Sequence, residues 1–137
     1  MTEAQPVGVD RFHHDGRGPE LRRVCWGGRG TVLEAIEYFN PEVEYTDAKL
    51  LHVRFSKVQI VSITPEEVVH DETLGKLMAL HRPAAAFDLG RDSWLSSFAQ
   101  THLVDCRHFQ LMFYDELFDV ICESLAFESG PFRPGRQ

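Results

Sequence analysis

The stretch HFQLMFYDELFDVICE, residues 108 to 123, sets Asp115, Glu116, Asp119 and Glu123 into one of the most apolar parts of the chain. An antiparallel strand pair accommodates that mixture. If the chain reverses at Asp115-Glu116, Phe113 faces Phe118, Leu111 faces Val120 and Phe109 faces Cys122, so one face is wholly apolar. A slip of one residue would carry Asp119 and Glu123 among the phenylalanines, and burial of one face therefore fixes the register. The opposite face sets His108 across from Glu123, Gln110 from Ile121, Met112 from Asp119 and Tyr114 from Leu117. Asp-Glu lacks the Asn-Gly chemistry of the tightest hairpins, which allows a wider turn with the same faces.

Chemistry at this hairpin is limited by distance. Four strand positions separate Asp119 from Glu123 by roughly 13 Å, beyond the roughly 5–9.5 Å over which glycosidase carboxylates cooperate.

A chain of 137 residues fits one domain, and its ten phenylalanines and two tryptophans suffice for a real core. No apolar run approaches the roughly 18 residues of a membrane span. The opening MTEAQPVGVD has no export signal, so the cytoplasm is the expected location. The three cysteines, Cys25, Cys106 and Cys122, match neither a disulfide framework nor a CxxC metal motif, and reduced thiols are expected. Residues 41–128 hold 15 acidic against 7 basic side chains. That surface repels phosphate backbones, which argues against nucleic acid and for a basic protein partner.

Along the chain, residues 1–20 and 129–137 read as flexible ends because they mix Gly, Pro and charge without periodicity. A single globular domain is expected over 21–128. Residues 21–26 read as a strand, and residues 31–39 fit either a helix, with Thr31 and Glu34 as a capping box, or a strand rich in Val, Ile, Tyr and Phe. Residues 49–63 alternate as a strand whose phase breaks at Ser56-Lys57, so residues 58–63 are a hairpin return or the same strand continued past a bulge. Thr64-Pro65-Glu66-Glu67 marks a helix start. Further helices are expected near 73–81, stopped by Pro83, and from 92 to 103 behind Asp92 as cap. The class is α+β: an antiparallel sheet with a C-terminal hairpin at about 108–127, and two or three short helices between about 65 and 103.

Candidate sites are few. HLVDCRH (102–108) gathers His102, Asp105, Cys106 and His108, residue types suited to metal or thiol chemistry, at a spacing that matches no metal motif. His102, Cys106 and His108 are the metal candidates it offers, and no cofactor is implied. HHD (13–15) is a weaker metal candidate. WGGRGT (26–31) lacks the pattern of a phosphate loop, and no serine sits in a GxSxG elbow. Met112, Tyr114, Leu117 and Ile121 are large apolar groups on the polar hairpin face. Either helices of the same chain cover them or they form a partner or homodimer interface.

The succession AIEYF, LLHVRFSKVQI and HFQLMFYDELFDVICE resembles that of small β-rich bacterial proteins of uncharacterised or toxin-immunity type. The resemblance implies one antiparallel sheet and a non-enzymatic protein-binding role, and it assigns no functional residue. A metal- or thiol-dependent enzyme using residues 102–108 and a self-associating structural protein are the alternatives.

Overall fold

The computed structural model describes residues 4–14, 18–40, 50–69, 71–98 and 101–134. Among them are nine strands, β1 Gln5–Pro6, β2 Glu20–Gly27, β3 Val32–Phe39, β4 Leu51–Ser56, β5 Ile60–Pro65, β6 Ala86–Asp88, β7 Arg107–Met112, β8 Glu116–Cys122 and β9 Ser124–Ser129. There are two helices, α1 Glu72–Leu80 and α2 Ser93–Ser96. The fold is mostly β, and every strand pair is antiparallel. One sheet has the order β1-β6-β7-β8-β5 and the other β2-β3-β4-β9. A single antiparallel sheet is thus replaced by two that share one apolar layer. No helix among the described residues is long and apolar enough to cross a membrane.

The hairpin at 108–123 exists with the expected faces. Phe109, Leu111, Phe113, Phe118, Val120 and Cys122 all enter the main core, against Ile36, Tyr38, Val53 and Phe55 of the second sheet. The register differs from expectation by two residues: Leu111 faces Phe118, Phe109 faces Val120 and His108 faces Ile121. The reversal lies earlier, at Tyr114-Asp115, with the Phe113 N–H donating to the Glu116 carbonyl at 2.8 Å. Lys57 is the one non-glycine residue at positive φ among those described, so neither Tyr114 nor Asp115 takes the left-handed conformation of an Asn-Gly turn. The shift preserves the faces because an offset of two residues is one whole repeat of the pleat.

The phase break at Ser56-Lys57 is a bulge. Ser56 pairs with Ser124 and Ile60 with Ile121, so residues 57–59 stand opposite residues 122–123. Three residues against two bend the ladder. The bend carries one long strand, β4 running into β5, from the second sheet to the first, while its partner β8 runs into β9 the opposite way. Residues 32–39 form strand rather than helix, since β3 is buried between β2 and β4. The Thr64-Pro65 start yields only a 3-10 turn over Glu66–Val68, without a side-chain cap.

The core also reaches beyond 21–128. Phe12 is fully buried, its ring centroid 5.0 Å from those of Tyr38 and Phe113 and 5.5 Å from that of Phe127. Phe132 is buried on the outer face of the second sheet, where its N–H donates to Glu37 at 2.9 Å. β1 forms an edge of the first sheet through pairing with β6.

The outer face of the first sheet is covered as well, in two separate patches. Under α1, Leu117, Phe87 and Ala84 meet Leu74, with Leu77, Met78 and Met112 around them. Under α2 and the loop after it, Ile121 meets Leu95, Leu103 and Cys106, with Ile60, Trp94 and Phe98 adjacent. Of the two alternatives for these residues, cover by the same chain holds for Leu117 and Ile121, which are buried; Met112 is half-buried under α1, and Tyr114 alone of the four is exposed, at the hairpin tip.

Candidate functional site

Between the two apolar patches the same sheet face carries a polar strip, His108 and Gln110 on β7, Asp119 on β8 and Ser62 on β5. Gln110 pairs directly with Asp119, and Ser62 with Asp119 on its other side. The two helices begin beside this strip. Asp71 caps α1, its Oδ1 accepting from the Leu74 N–H at 2.9 Å, and Asp92 caps α2 by accepting from the Leu95 N–H at 3.1 Å. Each cap turns its second oxygen to the sheet: Asp71 Oδ2 accepts from Gln110 Nε2 at 3.2 Å, and Asp92 Oδ2 lies 2.7 Å from His108 Nδ1. The space they enclose is a cleft of about 460 Å³, lined also by Thr73, Leu89, Ser93 and Trp94.

His108 is the centre of this arrangement. Its side chain is 5% exposed, and its other nitrogen, Nε2, lies 2.7 Å from Asp119 Oδ1. A neutral imidazole has one N–H and satisfies one of these carboxylates; the imidazolium satisfies both. Burial pulls the His108 pKa down, but hydrogen bonds to Asp119 and Asp92, and their charges, outweigh it, so the net shift is upward. The Trp94 ring centroid lies 4.6 Å from that of His108 at 55°, placing a cation beside an aromatic ring.

The sign of the shift fixes a pH dependence. A raised native pKa contributes stability that is fully present below the unfolded value of about 6.5 and lost as pH rises through the native one. The melting temperature is therefore expected to fall as pH is raised above about 6.5, and His108→Gln is expected to lack that component. Burial also raises the pKa of Glu116 and of the thiols, and because both proteins keep those groups, the comparison isolates the His108 component. Thermal melts of both proteins across pH 6 to 8 check it; equal slopes would remove His108 as the source.

The expected cluster at 102–108 does not assemble. His102 is exposed, Cys106 is packed in the patch under α2, and only His108 reaches the cleft. No group of three or more His, Cys, Asp or Glu among the described residues is arranged to hold a metal. His13 is set apart from these residues, its Nδ1 3.0 Å from the Val9 carbonyl, and Asp15 lies outside the described residues. Burial raises the Cys106 thiol and pushes that of Cys122 up to about 12. Such thiols stay protonated near neutral pH and make poor nucleophiles. Ser62, Thr73 and Ser93 line the cleft, while both His108 nitrogens are engaged by carboxylates rather than by a hydroxyl.

The charges on the opposite side of the molecule cancel locally. Arg23 holds Glu37 through two bonds of 3.0 and 2.9 Å and keeps its carboxyl below the usual range. Arg54 pairs with Glu128, which also lies 3.2 Å from His52. The cleft differs: three carboxylates, Asp71, Asp92 and Asp119, surround one imidazole, so negative charge remains in excess.

Sequence reading identified Asp92 as a cap and set Asp119 on the outward face of the hairpin, but it did not join them. The available signal was the strand face itself, on which His108, Gln110 and Asp119 fall together. Comparison of the chain with protein-family models, with curated proteins and with solved structures yields no match.

Proposed function

We propose that the protein is a non-enzymatic binding module that recognises a basic partner protein, with the cleft between α1 and α2 receiving an arginine or lysine side chain. The observation that carries this reading is the excess of carboxylate at Asp71, Asp92 and Asp119 in a concave site walled by Trp94. A cation entering it gains the carboxylates and an aromatic face together. The net charge of −7 supports the same partner through steering. An immunity or antitoxin role is the biological form of this reading, the basic partner being the toxin, and the three unpaired cysteines suit a reducing cytoplasm.

Isolated side chains bind weakly, with a Kd on the order of 1 mM, so the test is a titration monitored by NMR. End-blocked Gly-Arg-Gly and Gly-Lys-Gly peptides are expected to shift the Trp94 indole and His108 ring resonances in the millimolar range, and Gly-Gln-Gly to leave them unmoved. Asp119→Asn combined with Asp71→Asn is expected to weaken the response several-fold. Equal shifts from all three peptides, or none, would overturn the reading.

A further inference from the structure

Protonated, His108 is itself a cation placed inside the cleft. It bridges Asp92, which begins α2, and Asp119, which belongs to the sheet, and each bond is 2.7 Å long. The groups facing it can be named from every side. Asp92 and Trp94 come from the α2 segment, Asp119 from β8, Gln110 from its own strand with Asp71 of the α1 cap behind it, and Ser62, which does not titrate, from β5. The arginines on the flanking segments have partners of their own. Arg91 donates to the carbonyls of Leu103, Val104 and Cys106, and Arg107 is held by Asp88. The imidazolium is thus the internal partner of the carboxylates that an entering cation would use.

We propose, building on the cationic reading of the cleft, that entry of an arginine or lysine side chain is coupled to release of the His108 proton, so that the site binds its partner more tightly as pH rises. The balance is simple: the cleft takes in one positive charge and His108 gives up one proton to solvent, becoming a neutral imidazole. The neutral ring keeps one N–H and one carboxylate, and the other carboxylate is freed to accept from the ligand. Two cations drawn to the same carboxylates in one small site repel, and removing the proton relieves that repulsion. Linkage makes the effect reciprocal: whatever factor the proton takes from ligand affinity, the ligand takes from proton affinity. Bound Asp92 also caps α2, so the segment bearing Trp94 remains anchored through the Leu95 N–H whichever carboxylate keeps the ring.

The test uses the full chain and the end-blocked Gly-Arg-Gly peptide, whose guanidinium does not titrate in the working range. The His108 ring resonances are followed by NMR from pH 5.5 to 9, with and without saturating peptide, and peptide affinity is measured at both ends of that range. The expected result is a His108 midpoint lowered by about one pH unit in the presence of peptide, with an affinity about tenfold higher in the deprotonated state. His108→Gln is expected to bind the peptide with an affinity that no longer changes with pH. Peptide binding that leaves the wild-type midpoint in place, with pH-independent affinity, would overturn the coupling while sparing the cleft. Absence of binding at both ends of the range would instead overturn the cationic reading on which the coupling rests. The wild-type midpoint decides the matter even if the variant folds poorly.

Discussion

Val120→Asp is expected to leave little or no folded protein at 25 °C. Val120 is fully buried in the layer between the two sheets, flanked on β8 by Phe118 and Cys122 and paired with Phe109 and Val61. A carboxyl group there has no donor among its apolar neighbours, and the larger penalties known for single substitutions, on the order of 4–5 kcal/mol, arise from this mechanism. Domains of ordinary stability hold about 5–15 kcal/mol in all. The matched control is Val104→Asp, the same chemical change at a residue 68% exposed, which is expected to stay within about 0.5 kcal/mol. Urea melts followed by circular dichroism compare them. Similar midpoints would mean that the faces of the hairpin have been assigned wrongly.

The second large effect is expected at Phe12→Ala, on the order of 4 kcal/mol. Its ring is the meeting point of Tyr38 from β3, Phe113 from the β7–β8 turn and Phe127 from β9, so its loss opens a cavity where both sheets and the N-terminal stretch converge. Tyr38 is tied to the same place, its hydroxyl donating to the Arg11 carbonyl at 2.6 Å. Phe12→Leu keeps most of the volume and is expected to recover more than half of the loss. A midpoint shift below about 1 kcal/mol for the alanine variant would show that the segment contributes little.

These two residues mark what was legible in the sequence and what was not. Val120 stood in a strict alternation, and alternation reports a pleated face directly. Phe12 stood alone among glycine, histidine and charge; a single apolar residue has no period, so local pattern is silent about its burial. The same limit applied to the outer hairpin face. Leu117 and Ile121 were recognised as apolar, but which segment covers them depends on where α1 and α2 pack, a long-range matter. The bulge left its trace at Ser56-Lys57, whereas the passage of both strands into a second sheet did not, because bending changes no side-chain period. The cleft was hidden for a different reason. Capping explains Asp71 and Asp92 in full at the local level, and nothing in a local pattern indicates that the second oxygen of each carboxylate has a separate partner.

The bent ladder also bears on how the chain is born. Synthesis delivers β4 and β5 before β8 and β9, and the paired residues are far apart in sequence: Leu51 waits for Ser129 and Ile60 for Ile121. Until residue 122 has left the ribosome, β5 lacks its neighbour β8 in the described sheet, and until residue 129 has followed, β4 lacks part of β9. Neither sheet can close in that interval, since one continuous strand pair completes both. The nascent chain therefore carries unpaired, apolar strand edges while the residues between β5 and β8 are added, the condition under which strands pair with the wrong chain. Loop closure over such separations is slow compared with helix or hairpin formation. The continuity that locks the finished sheets together thus delays both to the same late moment of folding.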